Sequence, residues 1–199
     1  MARKAYGTTL WGSKFLKSIE LETDSGRLSR GKTYANTGKI YGVVLKPNSI
    51  TAKVKGNYSP FYTTSLNFKQ FPRGDIKVIL KFIEDNPFVL ADIINGKLPL
   101  DLLEFCKENE IDLFGGFDMS CNCFDYYGTY ACKHIAALYY ILTNEIDKNP
   151  FILLKLRGLD LIKHYNIQEN LQLPYPIELN YCDNPNKKVE EKNTQILQL

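Results

Sequence analysis

The chain has 199 residues, of which 44% are hydrophobic and 13% aromatic, so it can bury a substantial core without depending on a bound metal alone. No apolar run reaches the length of a membrane-spanning helix, and no apolar signal segment follows Met1. We therefore expect a cytoplasmic protein with no membrane partner. The five cysteines show no even framework of the kind that disulfide-rich secreted domains use, which agrees with a reducing compartment.

The formal net charge of +3 is distributed unevenly along the chain. Residues 1–60 contain eleven Lys/Arg and three Asp/Glu, a balance of +8, whereas residues 61–119 balance at −4 and residues 120–199 at −1. The N-terminal third is therefore the basic part. This matters for nucleic-acid binding, because contacts with phosphates supply a large share of the affinity.

Two helices are predicted before the first strand. Residues 11–20 carry apolar side chains at helical spacing, with Ser13 as the expected N-cap. Residues 27–38 form a short basic helix that ends at Gly38. Its cations Arg27, Arg30 and Lys32 are candidates for phosphate contacts. They are equally compatible with a solvated helix face or with pairing to acidic residues between the helices.

From residue 39 the apolar period changes to two, which indicates strands. Residues 39–45, 50–55 and 61–68 are separated by turn-forming segments and predict an antiparallel meander. In the second strand Lys53 and Lys55 alternate with apolar residues, so both project from the outer face. A basic outer face is either a nucleic-acid surface or an ordinary solvated sheet.

A helical layer is expected next, over residues 75–84, 88–94 and 99–106. Cys106 lies among apolar residues, so we interpret it as buried packing. Residues 111–114 are expected to form a short strand.

The strongest chemical signal is the pattern C-x-C, eight residues, then C-x-H. Three thiolates and one imidazole are a typical ligand set for a structural, tetrahedral zinc ion. If residues 119–124 are extended, the first two cysteines share one face, and the second pair enters the apolar helix that follows. The expected unit is ββα around one Zn²⁺. Its ligands are Cys121, Cys123, Cys132 and His134. The alternatives are small buried cysteines or a disulfide.

Catalysis is not expected. A closed Cys3His set leaves no open coordination position for a substrate. The string from Gly26 to Thr33 matches the spacing of a phosphate-binding loop, but the residues before it are polar where that loop needs a buried strand. We interpret the match as accidental.

The C-x-C and C-x-H pairs, with a helix opening at the second pair, resemble the SWIM zinc finger. The resemblance extends more loosely over residues 11–158, including Trp11-Gly12, Arg30-Gly31 and Leu156-Arg157-Gly158. It implies zinc binding by the four residues of the motif and a role in binding DNA or another protein, without catalysis. Prokaryotic proteins of this kind are often encoded beside a helicase-like remodelling ATPase.

Together these observations predict an α+β protein: a small antiparallel β-meander with flanking helices, followed by the ββα SWIM-type finger. The expected regions are 1–72 with the basic sheet, 73–116 as a helical layer, 117–166 as the finger with its trailing helices, and 167–199 as a flexible tail. The predicted function is a DNA-binding or DNA-associated adaptor. The alternative is a module that docks onto a helicase-like ATPase or recombinase without touching nucleic acid. The tentative nucleic-acid contacts are Arg27, Arg30, Lys32, Lys53, Lys55 and Lys133.

Overall fold

The computed structural model describes residues 5–20, 23–167 and 177–179. Eight helices and five strands are assigned in this part of the chain. The helices are α1 (Leu10–Glu20), α2 (Ser25–Asn36), α3 (Arg73–Asp85), α4 (Pro87–Ile94), α5 (Leu100–Glu108), α6 (Lys133–Lys148), α7 (Phe151–Leu156) and α8 (Leu161–His164). The strands are β1 (Ile40–Lys46), β2 (Ser49–Lys55), β3 (Phe61–Phe68), β4 (Phe117–Cys121) and β5 (Ile177–Leu179).

The strands form one antiparallel sheet in the order β4-β3-β2-β1-β5. The predicted meander of β1, β2 and β3 is confirmed, and so are its flanking helices. The sheet continues further than expected, because β4 adds to β3 on one side and the short β5 adds to β1 on the other. Residues 177–179, predicted as flexible tail, are therefore paired strand. The other residues of that tail beyond Ile167 lie outside the described part.

Helix α6 is the centre of the core. Every residue from His134 to Ile146 is buried, as expected of a helix that is covered on all sides. One side of α6 lies against β2, β3 and β4. Helices α1 and α2 pack against α6 as a further layer. Tyr139 joins α6 to α1: its ring stacks on Phe15 with centroids 4.4 Å apart, and its hydroxyl donates to the Phe15 carbonyl at 2.9 Å.

The contact between α2 and α6 is unusually close because a glycine lies in it. A Cβ added at Gly31 would fall 2.5 Å from the Cβ of Ala136. Gly31 also belongs to the string that matched a phosphate-binding loop. The whole string from Gly26 to Thr33 lies within the continuous helix α2. Its glycine thus serves helix packing.

The segment before α1 is held by an acidic side chain from the end of α6. Asp147 accepts hydrogen bonds from the backbone N–H groups of Gly7, Thr8 and Thr9 at 2.8, 3.1 and 2.9 Å, and from the Thr9 hydroxyl. The Thr9 hydroxyl also accepts from the Gly12 N–H at 3.1 Å, which is the action of an N-cap. The prediction of Ser13 as the cap was wrong, because the helix begins earlier.

Residues 111–114 do not form the predicted strand. The carboxylate of Asp112 accepts from the backbone N–H groups of Phe114 and Gly115 at 3.0 and 2.9 Å, and this local turn replaces pairing with another strand. The alternating apolar residues Ile111 and Leu113 are nevertheless buried, which explains why the segment has the pattern of a strand.

Candidate metal centre

Three elements bring the four motif residues together. Cys121 is the last residue of β4, and Cys123 follows it by two positions. Cys132 is the N-cap of α6, and His134 lies in the first turn of that helix. All four side chains are buried, and one potential ligand atom from each lies within 4.8 Å of the others.

The geometry of the cluster fits a tetrahedral ion. The Nδ1 atom of His134 is 3.8 Å from the Sγ atom of Cys121 and 3.8 Å from that of Cys132. Zinc bonds of about 2.3 Å to sulfur and about 2.0 Å to nitrogen give a tetrahedron with edges of roughly 3.5 to 3.8 Å. The Cys121–Cys123–Cys132–His134 cluster can therefore hold one metal ion without a large rearrangement.

The imidazole of His134 is oriented by two tyrosines. The ring of Tyr62 lies 4.7 Å from it, and the ring of Tyr34 meets it nearly edge-on at 5.8 Å. Nδ1 faces the thiols, whereas the buried Nε2 has no hydrogen-bond partner among the described residues. Nδ1 is accordingly the nitrogen available to a metal.

The three thiols differ in acidity. Hydrogen bonding from Cys121 lowers the pKa of Cys132, and the contacts with His134 and the Ile135 N–H act in the same direction. The same Cys121–Cys132 contact, followed by burial, raises the pKa of Cys121, and burial is the main cause that raises the pKa of Cys123. Cys132 is thus the preferred thiolate. A bound cation favours the thiolate form at all three positions, so metal binding releases protons.

The loop between the two pairs does not form the second strand of the expected ββα unit, since residues 122–132 contain no strand. Asn122 instead extends the pairing of β4 with β3: its side-chain oxygen accepts from the Thr63 N–H at 2.8 Å, and its own N–H donates to the Thr63 carbonyl. The hydroxyl of Tyr126 donates to the Met119 carbonyl at 2.5 Å and fixes the loop against β4. The candidate metal site therefore lies at the edge of the main sheet, and β3 is the strand that pairs with β4.

The loop also carries exposed aromatic side chains. Phe124 is 85% exposed and Tyr127 is 74% exposed. A cavity of about 210 Å³ opens beside the cluster between this loop and the β2–β3 turn. It is lined by Asn57, Tyr58, Tyr62, Cys123, Phe124, Asp125, Lys133 and His134.

The six tentative nucleic-acid contacts do not form one surface. Arg27, Arg30 and Lys32 belong to α2, on the helical side of the sheet. Lys53 and Lys55 are exposed on the opposite face of the sheet, where they alternate with the buried Ala52 and Val54. Lys133, the sixth residue, lies beside the metal cluster. Its ion pair with Asp125 at 3.4 Å partly neutralises its charge.

Cys106 and His164 lie away from the cluster. Cys106 is fully buried in α5, as predicted, and burial raises its pKa to about 12. His164 is exposed at the end of α8. Cys182 lies outside the described residues.

Sequence reasoning missed two aromatic residues on the face that carries Lys53 and Lys55. Tyr41 pairs with Lys53 across β1 and β2, and Phe61 pairs with Lys55 across β2 and β3. The alternation within β3 could have placed Phe61 there. Tyr41 could not be placed with confidence from alternation alone, because the register shifts between Tyr41 and Val44.

The fold and the cluster define a mixed α/β protein with a buried Cys3His set that could hold a metal ion. No helix in the described ranges combines the length and apolar character that crossing a bilayer requires. The chain is similar to the uncharacterized protein Rv2102 of Mycobacterium tuberculosis, with 28% identity over 160 residues. The match covers 78% of this chain and 57% of that protein, so the chain spans little more than half the length of this relative. No family model and no solved structure matches the chain.

Proposed function

We propose that this chain is a SWIM-type zinc protein that acts as a DNA-binding or DNA-associated adaptor. The zinc part of the proposal is supported by the chemistry and geometry of Cys121, Cys123, Cys132 and His134. Thiolate and imidazole groups are preferred zinc ligands, and four protein ligands complete the tetrahedral coordination of the ion. The ion would then have a structural role, tying β4 and the following loop to the start of α6.

The observation that carries the nucleic-acid part is a segregation of charge. Between Asp24 and Asp75 the chain contains no acidic residue. The same stretch contains nine basic residues: Arg27, Arg30, Lys32, Lys39, Lys46, Lys53, Lys55, Lys69 and Arg73. This stretch includes α2 and the three central strands. Its basic residues, with no acidic residue among them, therefore lie on both sides of the sheet. A polyanion is a suitable ligand for either positive side, and a DNA-binding protein of this kind would associate with the nucleoid.

The metal part is tested by elemental analysis of untagged, freshly reduced protein. One zinc per chain is expected in the wild type and much less in Cys123→Ser. The matched control is Cys106→Ala, which removes a buried thiol outside the cluster and should retain the metal. Equal zinc contents in the two variants would contradict the ligand assignment.

The nucleic-acid part is tested by fluorescence anisotropy with labelled DNA over a series of salt concentrations. Affinity should decrease steeply with salt, with a slope of roughly −0.9 for each phosphate that is neutralised on duplex DNA. The double variants Arg27→Glu/Arg30→Glu and Lys53→Glu/Lys55→Glu identify which side of the sheet contributes. A double reversal of exposed lysines on α3 is the control, Lys77→Glu/Lys81→Glu. Wild-type protein that does not bind DNA, or an equal loss in the control, would refute the proposal.

A second candidate function is docking onto a helicase-like ATPase or recombinase without contact to nucleic acid. The exposed aromatic side chains Phe124 and Tyr127 beside the cluster favour it, because such residues are frequent at the centres of protein interfaces. Tyr126 is a poor docking residue, since its hydroxyl is already bonded to Met119. Binding to a purified remodelling ATPase should then persist at high salt and be lost in Tyr127→Ala.

A further inference from the structure

The face of the sheet that points away from α6 is exposed on its three central strands. We call it the outer sheet face and define it by Tyr41, Thr51, Lys53, Lys55, Phe61 and Thr63. Helix α6 lies against the other face, where the alternate residues Ile50, Ala52 and Val54 are buried. The central strands therefore present a surface of mixed aromatic, hydroxyl and basic side chains.

A β-bulge brings Tyr41 to this face. The register moves from Tyr41 opposite Lys53 to Val44 opposite Thr51, so β1 advances three residues while β2 advances two. The bulge lies at Gly42, whose φ of +52° suits glycine, although an added Cβ would meet no atom within 4 Å. The extra residue keeps Val43 and Leu45 buried and still leaves the tyrosine on the outer side.

The two aromatic rings of the outer sheet face meet above β2. Tyr41 comes from β1 and Phe61 from β3, yet their centroids are only 5.3 Å apart, with an interplanar angle of 79°. Lys53 and Lys55 are their cross-strand neighbours on the strand between them. Phe61 remains 46% exposed. A partly exposed ring beside two cross-strand lysines offers a stacking surface next to positive charge, which suits a ligand with flat rings and anionic groups.

From this arrangement we infer that the outer sheet face binds single-stranded nucleic acid, with a base stacked on Phe61 or Tyr41 and phosphates held by Lys53 and Lys55. This inference rests on the proposed function and narrows it to one ligand class and one surface. β1, β2 and β3 contain no acidic residue, which gives the face charge complementarity to phosphates. The acidic residues nearest in the sheet are Asp118 on β4 and Glu178 on β5.

The stacking geometry selects single strands. A ring that lies on a broad sheet can stack on a base only if that base is unpaired and can turn its face to the protein. In a duplex the bases already stack on each other and offer only their edges and the backbone. Duplex DNA would therefore keep the lysine contacts and lose the contribution of the rings.

The test uses the full-length, zinc-loaded protein and fluorescein-labelled oligonucleotides of one mixed sequence, as single-stranded DNA, single-stranded RNA and duplex DNA. We expect both single strands to bind at least about tenfold more tightly than the duplex, since one stacked base typically contributes that much. Phe61→Ala should weaken single-strand binding by about fivefold to one-hundredfold. It should leave duplex binding nearly unchanged. The two single-stranded probes show whether the sugar matters.

The control is Phe88→Ala, which removes an aromatic ring that is 90% exposed on α4, in a helix that is not part of the sheet. It should leave all three affinities unchanged. Thermal unfolding of both variants excludes a loss of fold as the cause. Equal binding of single strands and duplex, with no effect of Phe61→Ala and a large effect of Arg30→Glu/Lys32→Glu, would overturn this inference and leave the proposed function standing on α2. If none of the three probes binds, the inference and the nucleic-acid part of the proposed function are both refuted.

Discussion

Removal of the proposed zinc ion should loosen the protein locally without unfolding it. The buried core extends from Trp11 to Ile167, and only Cys121, Cys123 and Cys132 of its members belong to the metal cluster. The core of α1, α3, α5 and α7 contains no ligand residue. This arrangement differs from isolated zinc fingers, in which the metal supplies nearly all of the folding free energy.

The size of the effect follows from linkage. A ligand that binds only the folded state stabilises it by RT ln(1 + [L]/Kd), which is about 4 kcal/mol when free zinc is one thousand times the dissociation constant. For a domain of 150 to 250 residues, each kcal/mol shifts the midpoint of thermal unfolding by about 2–4 °C. Chelation should thus lower the midpoint by roughly 8–16 °C, while the helical signal at room temperature persists.

The assay is circular dichroism and hydrogen exchange of the zinc-loaded and chelator-treated protein. Amides from β4 to the first turn of α6 should lose protection on chelation, whereas those around Tyr139 should keep it. Cys106→Ala should show the same zinc-dependent shift as the wild type. Complete loss of the helical signal on chelation would refute the claim that the core stands without metal. A shift below about 1 °C would show that the cluster does not load zinc.

Three further predictions concern residues outside the metal cluster. Asp147→Ala removes the acceptor that holds the segment before α1. Buried hydrogen bonds to a charged group contribute about 1.5–3 kcal/mol each, so we expect the loss of this partly exposed set to lower the free energy of unfolding by about 2–3 kcal/mol in denaturant titration. An effect below about 0.5 kcal/mol would contradict the anchoring role. Gly31→Val should lower stability by about 2 kcal/mol or more because its side chain would collide with Ala136, whereas an unchanged unfolding midpoint would show that α2 can move away freely. Burial holds the pKa of Cys106 at about 12 against an ordinary value of 9.0. The native state therefore keeps a proton that the unfolded state loses, so the contribution to stability is present below pH 9 and decreases as the pH rises from 9 towards 12. Cys106→Ala should reduce this alkaline loss, and a wild type whose stability is constant over that range would contradict the shift.

Much of the secondary structure could be predicted from the sequence because its signals are local. The alternation in β2 and the apolar stripe of α3 depend only on which face of an element is buried. Two errors have identifiable causes, one local and one tertiary. Residues 111–114 have the alternation of a strand, but Asp112 turns the chain with its own side chain. The start of α1 depends on Thr9, whose hydroxyl donates to Asp147 near the end of α6.

The sequence by itself determined the candidate ligands, since Cys121, Cys123, Cys132 and His134 are the chemically appropriate residues at a spacing short enough to converge. Only the tertiary structure decided where that cluster lies: β4 pairs with β3, so the candidate metal site belongs to the main sheet instead of a separate ββα finger. The tertiary structure also separated the basic residues. Sequence proximity placed Arg27 and Lys53 in one positive region, but the packing of α2 on α6 puts them on opposite sides of the sheet. Net charge can be summed along a chain, whereas a binding surface exists only where the fold places those charges on the same side of the molecule.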